Sequence, residues 1–265
     1  MKEHALNPAD RIIVALDCDA QKALRIADAL VDKATWLKVG MTLFYQEGPG
    51  IVEVLKAMGF KVFVDLKLHD IPHQVQGAAY ALARYGADMI SVHTSGGRAM
   101  MEAACAGVQA AQKDKNMQGS STQDYCAILG ITVLTSMDVS ALASVGVTDP
   151  MSVQVKRLAL LAQDAGLDGV VASALEAGML RETLDGEALI VTPGVRSAGE
   201  SASDQSRVAT PAQALQAGAD YLVIGRQITE STDPAHAFDV ILKEVKDLGR
   251  SKILRYAQND TQRSE

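Results

Sequence analysis

Eight short apolar runs, rich in Val, Ile and Leu, alternate along this sequence with eight amphipathic stretches of helical length. The runs Arg11–Asp17, Thr35–Gly40, Lys61–Lys67, Met89–Thr94, Ala127–Leu134, Gly169–Ser173, Leu189–Val195 and Tyr221–Arg226 predict strands. Near-continuous segments such as IIVAL and VVAS are what parallel strands covered on both faces require. The intervening patterns Ala20–Val31, Gly50–Met58, Pro72–Tyr85, Ala99–Ala111, Val153–Ala165, Leu175–Leu184, Pro211–Ala217 and Ala235–Leu248 predict helices. Most stop at or near a glycine (Gly59, Gly86, Gly166, Gly186, Gly218, Gly249), as a left-handed cap requires. No G-x-G-x-x-G follows the first strand, so an eightfold β-then-α alternation predicts a closed (β/α)8 TIM barrel over an open doubly wound sheet. Residues 1–249 form that single domain, and the polar tail 250–265 has no apolar stripe and reads as frayed. Two polar or Gly/Ser-rich inserts, Lys113–Asp124 and Ser136–Asp149, read as loops.

Composition narrows the function. Apolar residues at 48% and charged residues at 22% are an ordinary globular balance, which excludes a disordered chain. The apolar runs are far shorter than a bilayer span, and the N-terminal residues carry no apolar core of a secretory signal. A net charge of −7 argues against nucleic acid or an anionic membrane as partner, while leaving room for a small anion held by local cations. Cys18, Cys105 and Cys126 are odd in number and far apart, which excludes a disulfide framework and suits a reducing cytoplasm.

In a barrel of this kind chemistry belongs at the C-terminal ends of the strands. Asp17 closes the first run, Lys38 lies near the end of the second, Asp65 and Lys67 end the third with Asp70 beyond, and His93 ends the fourth. Thr135 and Ser136 follow the fifth, Arg196 the seventh, and Arg226 ends the eighth. Solvated helix faces do not explain an ionisable or polar group at one strand end after another. In VFVDLKLHDIP, strand alternation puts Asp65 and Lys67 on one face about 6–7 Å apart at the backbone, with Lys38 on the neighbouring strand. A cation–anion–cation array at the barrel mouth follows, and it is costly unless each charge is paired. A purely structural salt-bridge network remains the alternative. Asp70 lies in the loop leaving the barrel and can project across a subunit contact.

VTPGVR, then Asp204–Gln205, then VIGR form a second cluster. The loops after strands seven and eight of such barrels cradle phosphate, and Arg226 adds charge-assisted hydrogen bonds. A phosphorylated small substrate follows. His69 and His73 flank Asp70 without a second close cluster, a poor metal site, and Met100–Met101 read as helix packing. Thr94 or Ser95 reads as the N-cap of the fourth helix.

In one order the chain carries ALD (Ala15–Asp17), LKVG (Leu37–Gly40), DLKLHDIP (Asp65–Pro72), VHTSGG (Val92–Gly97), VLTSM (Val133–Met137), TPGVR, Asp204–Gln205 and VIGR. Over residues 10 to 247 this set closely resembles the bacterial orotidine 5′-phosphate decarboxylase family. The resemblance implies a homodimeric barrel, without metal or organic cofactor, that converts orotidine 5′-phosphate to UMP and CO2. It makes Lys67 the proton donor to C6, Asp65 the carboxylate beside the departing CO2, and Lys38 and Asp17 ribose contacts. Asp70 and Ile71 resemble residues that enter the partner's site; Thr135 matches a substrate contact; Arg196, Gln205, Gly225 and Arg226 match phosphate-side contacts. The family commonly continues DIP with Asn-Thr, whereas His73 and Gln74 stand here. The segment Arg196–Arg207, rich in Ser, Gly and Ala, is the expected lid. Three other functions share parts of this pattern. They are a metal-dependent sugar-phosphate decarboxylase with D-x-K-x-x-D, a catalytically silent phosphate-binding barrel, and a Schiff-base aldolase using Lys67.

Overall fold

The computed structural model describes residues 7–117, 125–197 and 209–247. Eight parallel strands close on themselves in sequence order: β1 (Ile12–Ala15), β2 (Trp36–Gly40), β3 (Lys61–Leu68), β4 (Met89–His93), β5 (Ala127–Ile131), β6 (Gly169–Val171), β7 (Leu189–Pro193) and β8 (Tyr221–Ile224). β8 returns to β1 with Ile12, Ile13 and Val14 opposite Leu222, Val223 and Ile224. The expected (β/α)8 barrel is therefore the fold. Closure leaves no open sheet edge.

Alternation along each strand divides the apolar residues between two cores. Outward-facing residues such as Ile12, Val14, Val62, Val64 and Ile190 pack under the surrounding helices. Inward-facing residues including Ile13, Trp36, Phe63, Met89, Leu129, Val191 and Tyr221 fill the barrel. Trp36 and Tyr221 meet edge to face at 5.8 Å. Met100 and Met101 are buried in helix packing, as expected.

Three strands are pinned at the bottom by one repeated device. Gly86, Gly166 and Gly218 have φ of +94°, +83° and +112°. Each is followed two residues later by an aspartate. Asp88, Asp168 and Asp220 accept the backbone N–H groups of Val62, Ile128 and Ile190 at 2.7, 2.7 and 2.8 Å. Each carboxylate thus ties the strand about to begin to its predecessor in the barrel.

Several expectations need correction. The helix Arg98–Met117 runs past Ala111, so residues 113–117 are helix rather than loop. The insert Ser136–Asp149 contains the helix Val139–Ser144, capped by Asp138. Neither Thr94 nor Ser95 caps the next helix, which begins at Arg98; both lie in the turn Thr94–Gly96, and the buried Thr94 hydroxyl donates to the Ile131 carbonyl at 2.7 Å. Arg226 does not end β8 but opens the short helix Arg226–Thr229. Gly186 has no positive φ, because the helix Ala174–Thr183 ends in an extended residue, Leu184. Gly249, Gln205, the tail 250–265 and most of the expected lid lie outside the described residues.

Candidate active site

The inner wall turns polar toward the C-terminal ends of the strands. Two residues beyond inward-facing Trp36, Phe63 and Met89 stand Lys38, Asp65 and Ser91, all buried. Asp17 Oδ1 accepts from Lys38 Nζ at 2.8 Å, and Lys38 Nζ stands 3.7 Å from Asp65 Oδ2. Lys67 Nζ donates to that same oxygen at 2.8 Å. The expected cation–anion–cation array is present, and Asp17 extends it to four charges of alternating sign. Burial would raise the Asp65 carboxyl. The Lys38 and Lys67 charges, with hydrogen bonds from Lys67 and Ser91, outweigh burial and hold it below the ordinary carboxylate range.

Lys67 reaches Asp65 from an irregular backbone. Val64 pairs with Ile90 and Leu68 with Val92, so Asp65, Leu66 and Lys67 stand opposite Ser91 alone. Lys67 has φ +53°, a left-handed conformation that few non-glycine residues adopt. The even alternation read from the sequence gives the correct face but not this bulge.

Asp17, Lys38, Asp65, Lys67, Thr135, Gly194, Arg196, Gly225 and Arg226 line one cavity of about 490 Å³, a size common for small-molecule sites. The charged array and the segments after β7 and β8 thus share one cavity. Asp70 and Ile71 are not in that lining. Asp70 is exposed and its Oδ1 accepts from the Ile71 N–H at 2.6 Å, while Ile71 is 64% exposed. His93 lies beside the array with its ring 5.3 Å from His69. Burial, then the charges of His69 and Lys67, depress its pKa against the opposing pull of Asp65.

Sequence reasoning passed over four residues. Lys22 and Gln227 line the cavity from the first turn of one helix and from the short helix after β8. Both look like ordinary surface residues in sequence. A Cβ on Gly40 would lie 2.5 Å from Asp17 Oδ1 and 3.0 Å from Lys38 Nζ, so this position must stay small for the pair to form. Ser91, the serine within MISVH, is the fourth.

This fold and this site define a (β/α)8 barrel in which an array of strand-end charges and two arginines line one cavity. The family model described as "Orotidine 5'-phosphate decarboxylase / HUMPS family" matches residues 10–241. The orotidine 5′-phosphate decarboxylase of Moorella thermoacetica is 47% identical over 243 residues, covering 91% of this chain and 94% of that protein. That of Alcanivorax borkumensis is 47% identical over 235 residues, covering 88% and 97%. The crystal structure of the Lactobacillus acidophilus orotidine 5′-phosphate decarboxylase superposes with a TM-score of 0.78 at 35% identity, covering 89% of this chain and 99% of that one. The chain belongs to the orotidine 5′-phosphate decarboxylase/HUMPS family.

Proposed function

We propose that this chain decarboxylates orotidine 5′-phosphate to UMP and CO2, with Lys67 stabilising the electron pair left on C6 and then protonating it. One observation carries the reading. At the cavity wall Lys67 Nζ is held 2.8 Å from a buried Asp65 that is itself paired with Lys38.

Cleavage of the bond between C6 and the carboxylate leaves an sp2 electron pair in the plane of the ring, where no adjacent carbonyl accepts it by resonance. The family resemblance implies no organic electron sink, so fixed protein charge supplies the stabilisation. The Lys67 ammonium faces the developing carbanion, CO2 departs, and one ammonium proton passes to C6. Solvent then reprotonates the amine, so the net reaction consumes one proton. Asp65 fixes the ammonium, and its charge repels the substrate carboxylate. Asp17 and Lys38 take ribose hydroxyls, and Thr135 contacts the substrate from beyond β5. Arg196, Gln205, Gly225 and Arg226 take the phosphate, with Arg226 able to offer two parallel donors.

Asp70 and Ile71 complete the site of a second copy, making the active unit a homodimer. Their exposure outside their own cavity supports this reading. The free thiols of Cys18, Cys105 and Cys126 suit the reducing cytoplasm expected for the chain. Among the described residues no helix is long and apolar enough to cross a membrane, and no three His, Cys, Asp or Glu side chains gather as a metal site.

The test is an ultraviolet absorbance assay of orotidine 5′-phosphate consumption with and without exhaustive chelation. Equal turnover in both supports the reading. No consumption of this nucleotide, or activity on a keto-sugar phosphate that chelator abolishes, would favour the metal-dependent sugar-phosphate reaction.

A further inference from the structure

We infer that Ser91 is a positioning residue for the reaction, its single hydroxyl locking the Lys67 backbone and the Asp65 carboxylate into one rigid unit. The inference rests on the reading of Lys67 and Asp65 given above and deepens it.

Ser91 is fully buried on β4 and makes two hydrogen bonds in opposite senses. Its Oγ accepts from the Lys67 N–H at 2.9 Å and donates to Asp65 Oδ1 at 2.7 Å. The other carboxylate oxygen, Oδ2, accepts from Lys67 Nζ at 2.8 Å. A closed ring results, running from the Lys67 backbone through Ser91 and Asp65 to the Lys67 ammonium. A hydroxyl has one proton to give and lone pairs to accept with, so it can serve both partners at once.

The register explains why the hydroxyl stands there. Three residues of β3 face this one residue of β4, so the regular ladder between Val64 and Leu68 is interrupted. Lys67 N–H takes the serine side chain as its acceptor. Lys67 also holds φ +53°, a conformation that persists only where surrounding bonds over-determine it. On the carboxylate side, the bond to Oδ1 fixes the rotation of Asp65, and with it the position of the oxygen shared by Lys67 and Lys38. Without the hydroxyl, Asp65 turns about its side-chain torsions and Lys67 loses both a backbone anchor and a fixed counter-ion. Substrate contacts through Asp17 and Arg226 do not pass through Ser91, and Lys38 keeps its closer 2.8 Å bond to Asp17 when Asp65, 3.7 Å away, turns.

That separation sets the expected signature, which falls on turnover rather than on binding. Ser91→Ala removes the hydroxyl. Ser91→Cys keeps the shape but offers only a weak donor and acceptor. Ser91→Thr retains the hydroxyl. Rates are measured per UMP-binding site, so a partly unfolded preparation does not count as a slow enzyme. The expected result is a kcat about tenfold to a hundredfold lower for Ser91→Ala and Ser91→Cys, as for loss of an orienting contact. KM and UMP affinity should stay within about threefold of wild type, a change of under about 0.7 kcal/mol. Ser91→Thr should recover most of the rate. A kcat within about twofold of wild type in Ser91→Cys would overturn the inference, as would equal losses in all three variants, which would assign the effect to space rather than to the hydroxyl. Wild-type protein that fails to consume orotidine 5′-phosphate would instead overturn the functional reading itself.

Discussion

Lys67 holds φ +53° at the centre of the proposed chemistry. Such a conformation costs about 1–3 kcal/mol in a non-glycine residue. Its hydrogen bonds to Ser91 and Asp65 offset that cost, and the ammonium is aimed before substrate arrives. Gly40 serves the same array from the other side, because the space that a Cβ would take is filled by Asp17 Oδ1 and Lys38 Nζ. These are the ends of flexible side chains, so Gly40→Ala leaves the barrel intact and pushes the Asp17–Lys38 pair apart. With the proposed ribose contacts displaced, KM for the nucleotide is expected to rise about tenfold, equivalent to about 1.4 kcal/mol. Steady-state kinetics at an unchanged melting temperature checks this; unaltered KM and kcat would contradict it.

Repetition dominates at the scale of elements. Gly86, Gly166 and Gly218 end helices, and the aspartates two residues later each hold a backbone N–H of the preceding strand. Asp220 also pairs with Arg181, so Asp220→Ala leaves the buried Ile190 N–H and a half-buried guanidinium without that carboxylate. The expected loss is about 1–3 kcal/mol. It reads as a melting point lower by several degrees with turnover per active site near wild type. No change in thermal or urea stability would show that the bond contributes nothing. The eight strands were legible because a parallel strand covered on both faces must be almost wholly apolar, and Lys38, Asp65 and Lys67 stood out as charges inside such runs. The helical residues 113–117 and Val139–Ser144 were not legible, since their polar and small residues leave no strong apolar stripe. Ser91 escaped for a different reason. A serine in a strand is unremarkable until the register shows it facing three residues of its neighbour.

For the whole molecule, the barrel gathers side chains distant in sequence into one cavity, lined by the charged array together with Arg196 and Arg226. Asp70 and Ile71 point the proposed site beyond a single chain. Mixing Asp70→Ala with Lys67→Ala subunits should restore activity, because one of the two sites in a mixed dimer then has both residues intact. No recovery in mixed dimers verified by mass would assign Asp70 to its own subunit's site. The central claim is that the Lys67 ammonium, fixed by Asp65, carries the chemical step. Its most direct test is orotidine 5′-phosphate turnover by Lys67→Ala beside wild type, with UMP binding measured on both. Near-complete loss of turnover with UMP still bound is the expected result, and near-normal turnover without that amine would contradict the mechanism.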